Sequence, residues 1–476
     1  MKLKFSFLLV LTLLIVNSSL LLTHATIRFV SKSGTSTPPY TSWETAADSI
    51  QKCIDYSVDG DTIIVSNGVY KELILINKNL SIYGLNMDST VLDSRGLIGT
   101  GTDSSATILV HGHLAIKNFY IIGDGKIIIY GWFDSSGMII DNCRIENGSG
   151  AVVFSNGINK AENLIIRDVS VGISTGDLFN TASYETKNNL IITEAYDGYG
   201  IFHSGGGTHE ITNNIILYTN SEVSSAYGIK VSWGGRMIIK NNIVAGFDWG
   251  HFYQDEQQLD SAFIINNVFG YSSYNNTGGQ EVIVISDGRK IFKNNMVVRC
   301  STRRGVRVYN YTLNPNYNLY WDLLGRYQGL INPGENEIGA DPMFVKDTIP
   351  NNQLNFDYHL QAFSPAIDAG DPNILDVDSS PSDIGAYGGE GGQSYNYLNL
   401  PPRAPVNLDV MIENKLITLT WNRNSEADTS YYNVYMDTVA NFTIDSTKLI
   451  ASPTDTIYIV LVPEGVESLY FKITCV

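Results

Sequence analysis

Three observations in the sequence predict an all-β chain whose main body is a parallel β-helix. A short join recurs, as in "TNNIILY" at Thr212 to Tyr218, where two amides stand directly before an apolar run. From about Thr62 to Asp322, short runs of Ile, Val, Leu and Phe alternate with Gly, Asn, Ser and Asp, with almost no helical periodicity. No proline occurs between Pro39 and Pro315.

The join returns as "KNNLIIT", "KNNIVAG", "INNVFGY" and "KNNMVVR", with weaker copies in "IDNCRIE", "AENLIIR", "IKNFYII" and "NYNLYWD". The Asn before the apolar step falls at positions 118, 142, 163, 189, 214, 242, 267, 295 and 318, at intervals of 21 to 28 residues. A repeat of that length signals a solenoid, because each unit buries its apolar face only against the next. It holds three short strands with their turns, which makes one coil. If every coil turns at the same place, Asn142, Asn163, Asn189, Asn214, Asn242, Asn267 and Asn295 stack into an amide ladder. Turn preference alone would not place Asn at one join nine times.

Residues 1–25 read as an export signal: Lys2 and Lys4, the apolar "FSFLLVLTLLIV", then "THA" before a cut at Thr26. An extracellular or cell-surface protein is expected, with no membrane span after removal of the signal. Residues 26–60 form the N-terminal cap of a β-helix domain spanning 26–390. Within that cap Thr41 and Glu44 have capping-box spacing, and Ala46, Ala47, Ile50, Cys53 and Ile54 make a helical apolar face. Such a helix covers the open edge of the first coil.

A second register appears in "VGIST", "YGIFHS", "YGIKVS", "WGHFYQ" and "RGVRVY", in which Gly turns the chain and a strand follows. Alternation then puts Ile173, Ile201, Ile229, His251 and Val306 on the inner face, and Ser174, Phe202, Lys230, Phe252 and Arg307 in an outward line. Residues 329–390 carry Pro342, Pro365 and Pro372 and read as irregular turns closing the last coil. A linker, 391–404, leads to alternating strands over 405–476, a partial β-sandwich with Trp421 and Tyr435 as core candidates. It stops after a strand, without the final one such a sandwich needs, so an incomplete module is expected.

The formal charge is −17, and it grows more negative once Lys2 and Lys4 are removed. That acidity argues against nucleic acid or an anionic membrane as partner. It also disfavours polyuronic acids unless local basic residues or a divalent cation reverse the field. Cys53, Cys143, Cys300 and Cys475 lie far apart without metal-type spacing and read as buried small hydrophobes.

The opening "GDTIIVSNGVYKELILINKNLSIYG", the Asn-bearing coils and the closing "GADPMF", "YHLQAFSPAIDAGDPN" and "DIGAYGG" resemble the right-handed parallel β-helix superfamily that includes pectate lyases and pectin methylesterases. The last seventy or so residues resemble a fibronectin type III module. "GVYKE", Gly68 to Glu72, is similar to the first pectin methylesterase motif. The aspartate-bearing motifs of that family, the Asp-Asp pair of polygalacturonases and the Trp-Asp-His signature of one pectate lyase family are absent. The resemblance therefore implies a fold rather than an activity.

Aromatic faces stack on sugar rings and cations bind carboxylates, so Phe202, Phe252 and Arg307 suit a polysaccharide laid across the coils. Lyases of this superfamily remove a proton beside a uronate with a Lys or Arg base, a role the resemblance offers to Lys230. His203 and His251, with Asp255 and Glu256, could form a metal or acid/base cluster, although hydrogen-bonded inward histidines are the plainer reading. His111 and His113 suit an exposed strand end. Asp376 and Asp378 in "DVDSSPSD" offer alternating oxygens of the kind calcium accepts, beside the simpler reading of an Asp-rich turn. Arg303, Arg304 and Arg307 form the dense basic cluster. Two functions stand open: a monomeric binder of extracellular acidic polysaccharide or cell-surface glycan, with or without lyase-like β-elimination, or a non-enzymatic adhesion protein whose solenoid is a stiff spacer.

Overall fold

The computed structural model describes residues 25–98, 106–177, 182–220, 225–255, 260–272, 281–286, 288–348 and 354–476. Residues 1–24 of the export signal and Glu256 lie outside the described residues. The described residues pack as two compact units, one within 25–216 with 229–237, the other within 217–228 with 238–476.

In the first unit, successive strands pair in parallel, Ile27–Val30 with Thr62–Val65, then Leu80–Gly84, His113–Lys117, Gly137–Asp141, Ile158–Glu162, Ser183–Lys187 and Thr208–Thr212. Parallel neighbours two dozen residues apart are the mark of a β-helix. Their register builds one inward column of Ile63, Ile82, Ile116, Ile140, Ala161, Thr186 and Ile211, all buried. Each fully buried Ile contributes about 1.5–3 kcal/mol. Thr186 interrupts the column, and its hydroxyl is satisfied by the ring of His209 at 2.9 Å.

Where the joins double, the two amides have different tasks. The first, as at Asn188, Asn213, Asn241, Asn266 and Asn294, adopts a left-handed backbone with φ between 55° and 58°, a conformation in which Asn is several-fold enriched. The second points inward and forms the ladder. Asn189 donates its backbone N–H and its amide to the Oδ1 of Asn214 at 3.0 and 2.9 Å. In the second unit Asn242, Asn267 and Asn295 each do the same to the next, at 2.9 to 3.1 Å, ending on Asn318. Asn318 then donates to the Glu337 carboxylate, which terminates the run.

Asn142 and Asn163, expected in the same ladder, belong with Asn118 to the other column. Their φ values, 63° at Asn118, 48° at Asn142 and 57° at Asn163, mark them as the turn residue, and Phe119, Cys143 and Leu164 follow them at the inward position. They bond outside the ladder: the Asn142 amide donates to Asn118 Oδ1 at 2.7 Å and that of Asn163 to Asp141 Oδ1 at 2.8 Å.

Not every glycine of the second register turns the chain; Gly250 begins its strand, Gly250–Gln254. Gly172 lies inside the continuous strand Ile165–Asp177, and a Cβ there would stand 2.4 Å from the Gly200 carbonyl of the next coil and 2.5 Å from Ile191. Close approach of the neighbouring coil is what demands the missing side chain.

The N-terminal helix is shorter than the sequence suggests, Ile50–Tyr56, and its N-cap is Ser49 rather than Thr41. The inward residues Ala46, Ala47, Ile50, Cys53 and Ile54 are buried as expected. Glu72, the last residue of "GVYKE", accepts from Ile50 N, Gln51 N and Ser49 Oγ at 2.8 to 3.1 Å. A carboxylate at a helix N-terminus satisfies donors that have no partner within the helix. Here this motif serves the cap.

The closing segment folds back along the second unit's coils instead of only covering the last one. The Asn241 amide donates to the carbonyls of Ala386 and Gly388, that of Asn266 to Asp383 O and Ser382 Oγ, and Asn294 Oδ1 accepts from Asp371 N. The left-handed Asn column therefore seats the strap.

Beyond it, strands Asp409–Glu413, Leu416–Thr420 and Ile457–Leu461 form one antiparallel sheet, and Leu449–Ala451, Tyr432–Asp437 and Tyr470–Cys475 a second. Ile417, Leu419, Trp421, Tyr432, Val434 and Cys475 make the core between them. Tyr435 faces outward; Tyr432 takes the core position, edge-on to Trp421. Arg403 of the linker ion-pairs with Asp341, Asp347 and Glu426, tying the sandwich to the closing segment.

Candidate functional site

Four strands of the first unit set a row of outward positions in register. Tyr130 of Ile127–Gly131 pairs with Val153 of Arg144–Phe154, Val153 with Ser174, and Ser174 with Phe202 of Tyr199–Gly205. Together with Phe133, Phe154, Ser155, Thr175, Ser204 and Trp233, this row lines an open depression of about 260 Å³. Phe133 is 57% and Trp233 53% exposed. The Thr175 hydroxyl is held by the His203 ring at 2.6 Å. Trp132 packs edge-on against both Tyr130 and Phe133, and His111 beside it pairs with Asp134 at 2.9 Å.

Of the residues expected to carry function, Phe202 and Lys230 come together. Tyr199 lies 5.3 Å from the Phe202 ring and accepts Lys230 Nζ over its face at 5.7 Å. Lys230 is half-buried and is not among the residues lining the depression. Phe252 does not belong to an outward line. It is 0% exposed and in register with Ile283, which pairs with buried Val306; Tyr253 and Val284 hold the register of Arg307. "WGHFYQ" is thus one residue out of phase with the other copies.

Arg307 is engaged by Glu281 at 3.1 Å and lies over Tyr309 at 4.3 Å, while Arg304 bonds Gln328. Arg303 turns inward and is 1% exposed. The three arginines therefore form no open basic patch. His203 sits 5.4 Å from His209 in the core of the first unit; His251, in the second, bonds the Gly270 carbonyl at 2.6 Å. Burial, with His203 nearby, holds the His209 imidazole well below its ordinary range, and burial pushes His251 down to about 3. Both are neutral core histidines.

Asp376 accepts backbone N–H groups from Asp383 and Gly389, and Asp378 caps Ser380 at 2.7 and 3.0 Å. Both carboxylates serve turns of the strap, and among the described residues no group of three or more His, Cys, Asp or Glu is placed to hold a metal ion. All four cysteines are free and buried.

The strap contains a titrating group instead. Asp383 accepts from Asp368 N at 3.0 Å and from the Tyr397 hydroxyl at 2.9 Å, and burial, with Asp376 and Asp368 adding to it, pushes its carboxyl up to about 6. The unfolded chain titrates there near 3.9, so the folded chain binds this proton more tightly. Stability present below about pH 4 is lost as pH rises through about 6. Asp383→Asn is expected to flatten that part of the stability curve in thermal unfolding across the same window; an unaltered slope would assign the titration elsewhere.

No protein-family model matches the chain, and no curated protein matches it. Solved structures similar to it include pectate lyase Pel9A, 14% identical over 76% of this chain and 96% of that one, with a TM-score of 0.40. XylC in complex with xylose is 10% identical, covering 83% and 89%, with a TM-score of 0.44. An alginate lyase from Paenibacillus is 12% identical, covering 60% and 96%, with a TM-score of 0.28. Likenesses this distant carry nothing about activity, and the parallel β-helix rests on this chain's own strand register. Among the described residues no helix is long and apolar enough to cross a membrane.

Proposed function

We propose that this is an extracellular polysaccharide-binding β-helix protein, whose binding site is the depression lined by Tyr130, Phe133, Phe202 and Trp233. The observation that carries this reading is the in-register outward row from Tyr130 to Phe202, flanked by two large aromatics left open to solvent. Strands about 4.8 Å apart spread that row over about 14 Å, a span suited to several linked sugars lying along the coils. Aromatic faces cover the apolar faces of sugar rings, and Ser174 and Ser204 offer hydroxyls to their edges.

Binding, rather than β-elimination, is the reading the residues favour. Lys230 stands over Tyr199 outside the depression, and Arg307 is committed to Glu281. The fibronectin-like module would then serve as a link. Phe202→Ala and Trp233→Ala are each expected to weaken glycan binding roughly tenfold, about 1.4 kcal/mol, in titrations of the full chain. Undiminished binding in both variants would move the site elsewhere; a spacer would bind no glycan at all.

A further inference from the structure

The lining of the depression points further, to the class of glycan. We infer, on the basis of that binding reading, that the site takes an uncharged polysaccharide and rejects polyuronates. Twelve residues line it, and apart from the phenol of Tyr130 none carries an ionisable side chain. The polar groups offered are hydroxyls, those of the half-buried Ser174 and Ser204 among them, while Ser155 and Thr175 are buried and bonded to Gly131 O and the His203 ring. Each offered hydroxyl can donate and accept, which matches sugar hydroxyls. A carboxylate brought into this row would lose water and meet no cation among the lining residues.

The net charge acts in the same direction, and Lys230, the cation that comes beside Phe202, is set over Tyr199 outside the lining. The whole chain carries a formal charge of −17, so a polyanion approaches against the field. At the rim, His111 is already paired with Asp134. Thr175 is 1% exposed and its hydroxyl is bonded inward to the buried His203 ring, so it braces the row from beneath and does not meet the ligand. A neutral chain with apolar ring faces fits both the aromatic walls and the hydroxyl floor.

The test is a titration of the full-length mature chain, following its tryptophan fluorescence, with neutral polymers such as galactan, arabinan, xylan and mixed-linkage glucan. Polygalacturonate and alginate form the charged arm, and each is run at low and at high salt. Saturable binding to at least one neutral polymer is expected, unchanged by salt and weakened about tenfold or more by Trp233→Ala and by Phe202→Ala. Ser174→Lys, which puts a cation in the row, should bring polyuronate binding that salt then abolishes. Binding confined to polyuronates in the unsubstituted chain would overturn the neutral assignment and leave the glycan-binding reading standing. Binding to no polymer in either arm would overturn both.

Discussion

Asn267→Asp is expected to lose about 3 kcal/mol or more of unfolding free energy at neutral pH. Asn267 is completely buried; its Oδ1 accepts the N–H and amide of Asn242, and its amide donates to Ile239 O, Ile265 O and Asn295 Oδ1 at 2.9 to 3.1 Å. Aspartate keeps the acceptor and the shape but removes the donor. A carboxylate would then face three oxygens with no proton between them. Burial beside those oxygens raises the carboxyl's pKa, so the folded variant recovers part of the loss as pH falls and the group takes up a proton. Asn188→Gly is the contrast. That residue is exposed with φ of 56°, which glycine adopts freely, and its loss should stay within a few tenths of a kcal/mol. Urea unfolding of both variants decides the matter. Equal losses would mean the amides contribute turn preference and nothing more.

The same pair of positions explains how far the sequence could be read. The repeat length and the join were visible because every coil must turn where its neighbour turns. What the sequence did not separate was the two jobs within "NN". At Asn118, Asn142 and Asn163 a single amide is present, and apolar pattern alone does not reveal that it is the left-handed residue while Phe119, Cys143 and Leu164 hold the inward place.

The outward line failed for a related reason. Counting from Gly assumes that Gly ends a turn, whereas Gly172 sits within a strand and admits the next coil. At Phe252 the phase slips by one even though Gly250 begins its strand, Gly250–Gln254. Ser174 and Phe202 were placed correctly, but Tyr130 was missed because its strand carries the glycine at its end, Gly131. Trp233 lies three residues past Lys230, beyond the window in which the copies align. A search for aromatics in "IIIYGWF" and "KVSWGG" would have found both.

The buried Arg303 gives the second large effect. Among the described residues its Nε and both Nη atoms have no hydrogen-bond partner, and it faces Asp248 Oδ1 at 4.0 Å, itself fully buried. Burial draws the guanidinium below its ordinary range. Asp248→Asn removes the carboxylate facing the guanidinium at 4.0 Å and leaves a cation in the core, an arrangement that costs about 3–5 kcal/mol. Arg303→Met should cost less, because Asp248 has further interactions that remain while the desolvated guanidinium is gone. The double variant Asp248→Asn with Arg303→Met is therefore expected to be more stable than Asp248→Asn alone. Such a reversal is a coupling that additive losses do not produce. Unfolding free energies of the wild type, the two singles and the double complete the cycle. If Arg303→Met proves as costly as Asp248→Asn and the losses simply add, the guanidinium is fully solvated by internal water and the charge pair contributes nothing.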